Sequence, residues 1–165
     1  MTDLSPLLPA ASTLIRLCAD KGLTIATAES CTGGLIAGAL TEVAGSSAVV
    51  DRGFVTYSNA AKTAMIAVPA ALIDRVGAVS REVALAMVVG ALAKSDADLA
   101  VAVTGIAGPG GGSPEKPVGL VHFAAMRRGG QAVHEAHVFE DRDRSGVRFA
   151  TVERALAMLM ALVGS

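Results

Sequence analysis

Apolar and polar positions repeat with two different periods along the 165 residues, and the places where the period changes outline the elements. Leu14, Leu17 and Cys18 recur at helical spacing within 7–21, and Gly22 follows as a stop. The run at 23–28 reads as a strand, and a helix is expected over 33–43. Gly45-Ser46-Ser47 turns the chain into a second strand over 48–57, with Gly53 as its expected kink. Ser58 and Asn59 cap a short helix that carries Lys62, and Pro69 opens another that ends near Gly77. Ser80 is the N-cap of a helix reaching Lys94, with Glu82 in its first turn. That helix carries so few charges that most of its surface is expected to be covered.

Leu99-Ala100-Val101-Ala102-Val103 is a continuous apolar run, the pattern of a strand buried on both faces. A Gly/Pro-rich loop over 105–117 leads to strands at 118–126 and 132–139, joined through Gly129-Gly130 as a hairpin. A last helix over about 146–163 has an apolar stripe at Val152, Leu156, Leu159 and Val163. Helices interleaved with strands, then a hairpin, predict a three-layer α/β/α fold with a mostly parallel sheet and an antiparallel edge hairpin. No repeat or linker divides the chain, so 1–165 is expected to form one domain.

Composition narrows the function classes. With 52% hydrophobic residues the chain is globular rather than disordered. Only 3% of residues are aromatic, Trp is absent and the net charge is −1, so neither a stacking platform nor a basic field for nucleic acid is present. The apolar runs are too short to span a membrane, and no basic segment followed by a long apolar run opens the chain. No nucleic-acid or membrane partner and a cytoplasmic location are the resulting expectations. Cys18 and Cys31 cannot make a disulfide framework, and Cys18 reads as a core residue. No His/Cys/Asp/Glu cluster has metal-ligand spacing, so neither a metal nor a cofactor is expected. Self-association into a homo-oligomer is suggested by the sparsely charged helix at 80–94.

The chemistry concentrates at Ala28-Glu29-Ser30-Cys31-Thr32-Gly33-Gly34, where a strand turns into a helix. A hydroxyl at such a turn stands above the sheet, and the small residues after it bare backbone N–H groups that bind negative charge. Ser30 needs a base. The three histidines, His122, His134 and His137, fall on the late hairpin and form no His–Asp pair, so Lys62, just after the second strand, is the better partner. Burial and a neighbouring cation such as Arg52 would both lower the Lys62 pKa, and Tyr57 is placed to relay a proton or donate to an anion. On spacing alone Lys62 reads as an ordinary solvated lysine on a short surface helix.

Cys31 is the rival nucleophile, since a thiol at a helix N-terminus can have a depressed pKa. Glu29 either fixes Lys62, positions substrate or caps the helix. Thr104, Gly105 and Gly108 open a second Gly-rich segment at a strand end, which reads as a binding loop or as a flexible hairpin entry. Arg144 and Arg148, four apart, share a helical face and form either an anion clamp or ordinary surface charge.

Four segments together resemble the CinA C-terminal-domain family, the nicotinamide-nucleotide amidohydrolases of competence/damage-inducible proteins. They are Ala28–Gly34, Asp51–Asn59 with Lys62, Gly77-Ala78-Val79-Ser80, and Thr104–Gly119, and they cover nearly the whole chain in order. The resemblance implies hydrolysis of the carboxamide of nicotinamide mononucleotide to nicotinic acid mononucleotide and ammonia, in pyridine-nucleotide recycling. It makes Ser30 the nucleophile, Lys62 the base and Tyr57 a further member of the site. Substrate-binding roles fall to Glu29, Cys31, Thr32, Gly33, Gly34, Thr104, Gly105, Gly108, Arg144 and Arg148.

This chain reads Glu140-Asp141-Arg142-Asp143-Arg144 where the family has a shorter Gly-Asp-Arg signature, which leaves open whether Arg144 or Arg148 reads phosphate. Gly110 stands where many relatives have Asp. The resemblance also implies a free-standing member without the N-terminal domain of larger relatives. Two other readings remain at this point, a nucleotide-binding module without turnover and a thiol-dependent amidase using Cys31.

Overall fold

Whether a strand's side chains are all apolar or alternate decides which layers it touches, and the computed structural model, which describes residues 2–165, sorts the chain accordingly. The helices are α1 (Leu8–Lys21), α2 (Leu35–Thr41), α3 (Asn59–Ile66), α4 (Ala70–Val76), α5 (Arg81–Ala93) and α6 (Arg144–Val163). The strands are β1 (Ile25–Glu29), β2 (Val50–Val55), β3 (Leu99–Gly105), β4 (Leu120–Arg127) and β5 (Val133–Val138). They form one sheet in the order β2-β1-β3-β4-β5. β1 runs parallel to both β2 and β3, and β4 and β5 close the far edge as an antiparallel hairpin. The three-layer α/β/α fold expected from the sequence is what the chain adopts.

The two faces of the sheet differ in side-chain size. Ile25, Leu99, Val101, Val103, Val121 and Phe123 face one way and pack with residues of α1, α2 and α6. Ala26, Ala28, Ala100, Ala102 and Ala124 face the other and pack with residues of α3, α4 and α5. Alanine on every neighbouring strand lets α5 lie close against the sheet, and its Val83, Ala84, Met87, Val88 and Ala91 are buried there. The expectation that α5 would be largely covered therefore holds, although Val89 is exposed.

Several boundaries differ from the sequence reading. β1 starts at Ile25, not residue 23, because the Thr24 N–H and hydroxyl both donate to the Asp98 carboxylate. The irregularity in β2 is at Asp51, the residue skipped between the partners of Ile25 and Ala26, and not at Gly53. Gly53 is in register opposite Thr27, where a Cβ would stand 3.0 Å from the Thr27 hydroxyl and 3.1 Å from the Ala37 Cβ. It is a close-packing glycine rather than a kink. Pro69 precedes α4 as its N-cap instead of entering its first turn. α6 begins two residues earlier than expected, because Asp143 caps it by accepting from the Gly146 N–H. Arg144 and Arg148 are therefore both helical.

The parallel strands β1, β2 and β3 all end on the same edge of the sheet, at Glu29, Val55 and Gly105. Side chains just beyond those ends converge in the crevice there.

Candidate active site

Lys62 is 1% exposed and is the bulkiest of the fully buried side chains. Helical side chains lean toward the helix N-terminus, and the Lys62 stem does so, bringing Nζ back level with the start of α3. There Nζ lies 3.0 Å from Ser30 Oγ, 2.8 Å from the Thr56 carbonyl and 3.5 Å from the Tyr57 carbonyl. As an ammonium it donates to all three oxygens. As a free amine it keeps its two N–H bonds for the carbonyls and turns its lone pair on the Ser30 hydroxyl. Two fixed carbonyls thus aim the amine at one hydroxyl.

Burial pushes the Lys62 pKa down, toward the free amine, and the Cys31 thiol nearby opposes this. Arg52, expected to help as a neighbouring cation, does not. Its guanidinium pairs with Asp51 and donates to the Lys94 carbonyl on an exposed face.

The turn that presents Ser30 is built from β1 outward. The Ser30 N–H donates to the Val103 carbonyl, continuing the β1–β3 pairing one residue past the strand. Gly33 and Gly34 both have positive φ, +60° and +101°, the left-handed backbone that a tight entry to α2 requires.

Glu29 is completely buried beneath this turn, and its carboxylate accepts from the Thr27 and Thr32 hydroxyls and the Ile36 and Ala37 N–H groups. It is therefore the capping acid of α2, one of the three roles left open by the sequence, and it lies below the cavity rather than in it. The expectation that the start of α2 is a bare anion site is corrected by the same bonds, because Glu29 already supplies the negative charge there.

With the amides of Ser30, Gly33, Leu35, Ile36 and Ala37 engaged, those of Cys31, Thr32 and Gly34 find no protein acceptor among the described residues. Of these three residues, Cys31 lines the cavity. Thr32, Gly33 and Gly34 do not line it: the Thr32 hydroxyl is spent on Glu29, and Gly33 and Gly34 back onto Arg148 and Val55.

The cavity above Ser30 has a volume of about 280 Å³. Ser30, Lys62 and Cys31 form its floor, Thr104, Gly105 and Gly108 one wall, and Tyr57, Asn59 and Arg144 its rim. Burial pushes the Cys31 thiol up to about 12, so the thiolate expected at a helix start is strongly disfavoured. Thr104 donates its hydroxyl to the Ala78 carbonyl, tying the loop after β3 to the Gly77–Ser80 segment. Ser80 in turn donates to the Gly77 carbonyl and caps α5.

Tyr57 is 60% exposed and its hydroxyl accepts from Arg144, whose other nitrogen donates to the Gly108 carbonyl. This chain of bonds crosses the cavity mouth from α3's leading strand to the Gly-rich loop. Arg148 lies elsewhere. Its Nε and Nη2 donate to the Cys31 and Thr32 carbonyls, so the two arginines share a helix but only Arg144 lines the cavity, while Arg148 holds the turn that presents Ser30.

Asn59 also lines the cavity, although the sequence reading gave it no site role beyond a helix cap and the family-like 51–59 segment. The cap is Ser58, which accepts from the Ala61 N–H. The signal for Asn59 was its i, i+3 spacing from Lys62. None of the three histidines lines the cavity: His122 and His134 bond to each other at 2.9 Å, and His137 bonds Glu135. A larger groove of about 570 Å³ lies between β5 and the end of α6, but its Glu135 and Arg154 satisfy each other. Among the described residues no group of three His, Cys, Asp or Glu side chains is placed to hold a metal, and no helix is long and apolar enough to cross a membrane.

Comparison with known proteins places the chain among relatives of one family. The family model of the CinA C-terminal domain matches residues 8–163. A CinA-like protein of Akkermansia muciniphila is 54% identical over 142 residues, covering 86% of this chain and 34% of that protein. A CinA-like protein of Citrifermentans bemidjiense is 56% identical over 146 residues, covering 88% of this chain and 35% of the relative. The chain thus spans about a third of the length of the curated relatives it matches.

Among solved structures, the competence/damage inducible protein CihA of Agrobacterium tumefaciens superposes with a TM-score of 0.94 at 56% identity, covering 96% of both chains. A CinA superfamily protein of Klebsiella pneumoniae superposes with a TM-score of 0.90 at 35% identity, covering 95% of this chain and 97% of its own.

Proposed function

The chain belongs to the CinA C-terminal-domain family, and from that premise we propose that it is a Ser–Lys amidohydrolase that converts nicotinamide mononucleotide to nicotinic acid mononucleotide and ammonia. The observation that carries this reading is the buried Lys62 amine 3.0 Å from Ser30 Oγ, held there by two backbone carbonyls. A lysine placed under a serine with its charge disfavoured is a general base in waiting. A binding module would have no use for so costly an arrangement.

In this mechanism the free amine of Lys62 takes the Ser30 proton as Oγ attacks the carboxamide carbon. The carbonyl oxygen becomes an oxyanion facing the Cys31 amide, the one unengaged donor of the turn that belongs to a cavity-lining residue. Collapse breaks the C–N bond, Lys62 returns the proton to the leaving nitrogen, and ammonia departs. Water then attacks the acyl-Ser30 ester, its proton passing to Lys62 and on to Ser30 as the carboxylic acid is released. No metal or cofactor enters any step. The substrate's phosphate reaches the rim, where Arg144 and the glycines of the 105–111 loop offer donors. Tyr57 acts there as the partner that orients Arg144, a rim role in place of proton relay.

Ammonia release from nicotinamide mononucleotide, measured on wild type, Ser30→Ala and Lys62→Met, tests the proposal. Turnover by wild type alone supports it. Inert wild type that still binds the mononucleotide would favour the non-catalytic module instead.

A further inference from the structure

The Gly-rich loop between β3 and β4 walls the cavity but is tied to the rest of the fold at few points. Gly108, Gly110 and Gly111 line the cavity, and their N–H groups find no protein acceptor among the described residues. The loop is pinched at its neck, where Ile106 donates to the Leu120 carbonyl and Gly119 to the Ile106 carbonyl. Beyond the neck, Arg144 holds the Gly108 carbonyl from the rim. From residue 109 to 117, among the described residues, one side chain alone hydrogen-bonds to another part of the chain. It is Lys116, whose Nζ donates to the Val76 carbonyl at 2.7 Å.

Both ends of this bond are fixed. Val76 is the last residue of α4, so its carbonyl is among those a helix leaves without an intrahelical donor, and a lysine is a fitting partner for it. Nζ lies so close to the bare Gly77 backbone that a Cβ there would stand 2.9 Å from it. On the loop side, the Ser113 N–H donates to the Lys116 carbonyl and the Lys116 N–H to the Ser113 hydroxyl, closing a turn that presents the lysine. The Ala78 carbonyl, just beyond Val76, takes the Thr104 hydroxyl at the end of β3. The stretch from Val76 to Ala78 thus holds the loop before its start and again near its end.

We infer that Lys116 is a positioning residue for substrate binding: its ammonium latches the loop to the end of α4 and so keeps the unengaged amides of Gly110 and Gly111 at the cavity, where the substrate's phosphate meets them. The inference rests on the amidase reading above, in which the loop glycines and Arg144 receive the phosphate. Lys116 does not itself line the cavity, so it acts through the loop. Without the latch, residues 109–117 keep no side-chain hydrogen bond outside the loop, and the fraction of molecules with the loop in place falls. Apparent affinity falls by the same fraction. A bound phosphate draws the loop back, and the saturated enzyme then reacts at close to its normal rate, because Ser30 and Lys62 are held from β1 and α3.

Calorimetric titration of nicotinamide mononucleotide and of its phosphate-free nucleoside into Ser30→Ala, and into Ser30→Ala combined with Lys116→Met, reads the latch without turnover. Lys116→Met keeps the stem and removes the donor. It is expected to weaken the mononucleotide roughly tenfold and the nucleoside by less than about twofold. Lys116→Arg, whose guanidinium can also donate to a carbonyl, is expected to recover part of the loss. In the catalytically intact background, Lys116→Met is expected to raise KM for the mononucleotide roughly tenfold with kcat within about threefold. Thermal melting of each variant checks that the fold is intact.

Equal weakening of both ligands would make the lysine a general support of the fold and overturn the inference, as would no weakening or no binding of either ligand. A kcat that falls while KM holds would overturn it too. Mononucleotide binding that depends on Lys116 in a wild-type background that releases no ammonia would instead overturn the amidase reading alone.

Discussion

Gly90 on α5 lies so close to Ile66 at the end of α3 that a Cβ there would stand 1.9 Å from the Ile66 carbonyl oxygen and 2.9 Å from its carbon. Neither atom can move without moving α3, because both belong to its backbone. The helix that carries Lys62 is therefore seated by the absence of a side chain on its neighbour. The alanine-lined face of the sheet draws α5 inward, Gly90 admits α3, and Lys62 reaches Ser30 as a consequence.

Gly90→Ala is accordingly expected to reduce stability by roughly 1–3 kcal/mol through overpacking and to reduce turnover along with it. Urea denaturation and the ammonia assay on the same preparation check this. An unchanged midpoint and unchanged rate would mean that α3 is positioned by something other than this contact.

The fold was largely legible because its signals are local. Leu99–Val103 is apolar throughout, and Ser80 followed by Glu82 announces the start of α5. From the residues alone the pairing of Ser30 with Lys62 was legible only as two groups at neighbouring strand ends, and the resemblance supplied their roles, since spacing along the chain does not encode a 3.0 Å approach. The roles of Glu29 and Arg148 were not separable by sequence. Both are charged residues near a helix start, and only the tertiary arrangement shows one capping α2 from below and the other holding its entry turn. Asn59 was overlooked because its neighbour Ser58 explained the helix start sufficiently.

Lys62 titration gives both rate and stability a pH dependence of known sign. Its folded pKa is lowered from 10.5 by burial, so the free amine needed for attack accumulates as pH rises. Below the folded pKa both folded and unfolded chains carry the proton. Between the folded pKa and 10.5 the unfolded chain binds more protons, so stability climbs with pH across that window. Wild type is expected to gain stability relative to Lys62→Met as pH is raised toward 10.5, and its turnover is expected to rise over the same range. A stability difference that shrinks with pH would contradict a desolvated amine.

Cys31 offers a separate check on which atom attacks. With the thiol pushed up to about 12 and largely buried, almost none of it is thiolate at neutral pH. Iodoacetamide at a pH of about 8, below the ordinary thiol pKa, is expected to leave the folded enzyme active. Cys31→Ala is expected to retain turnover within a few-fold, since its backbone amide survives the change. Inactivation by the reagent together with a dead Cys31→Ala variant would make the thiol the nucleophile in place of the Ser30 hydroxyl.

Glu29 links stability to the same turn. Truncation to Ala strands two amides and two hydroxyls that now donate to its carboxylate, and unsatisfied buried donors cost about 1–3 kcal/mol each where water cannot reach them. Glu29→Ala is expected to lower stability by at least about 3 kcal/mol by that measure, with Glu29→Gln intermediate because its side-chain oxygen still accepts. The midpoint of chemical denaturation reads this directly, and a loss under about 1 kcal/mol would show that α2 is capped by other means.

Arg144 and Arg148, one turn apart on α6, should separate cleanly in kinetics. Arg144 faces the mouth, bonded to Tyr57 and Gly108, and retains donors for an anion. Arg148 spends Nε and Nη2 on the carbonyls of Cys31 and Thr32, and a Cβ on Gly33 would stand 3.3 Å from that same Nη2. Removing Arg144 takes away a group that acts on the substrate's phosphate, so Arg144→Ala is expected to raise KM for the mononucleotide more than for the phosphate-free nucleoside. Removing Arg148 releases the turn that aims Ser30 and the Cys31 amide, an effect independent of phosphate. Arg148→Ala is therefore expected to lower kcat roughly 10- to 100-fold for both substrates alike, and Arg148→Lys, which cannot bridge both carbonyls with one planar group, to recover only part of it. A phosphate-dependent KM effect from Arg148→Ala would move that arginine back into the anion site.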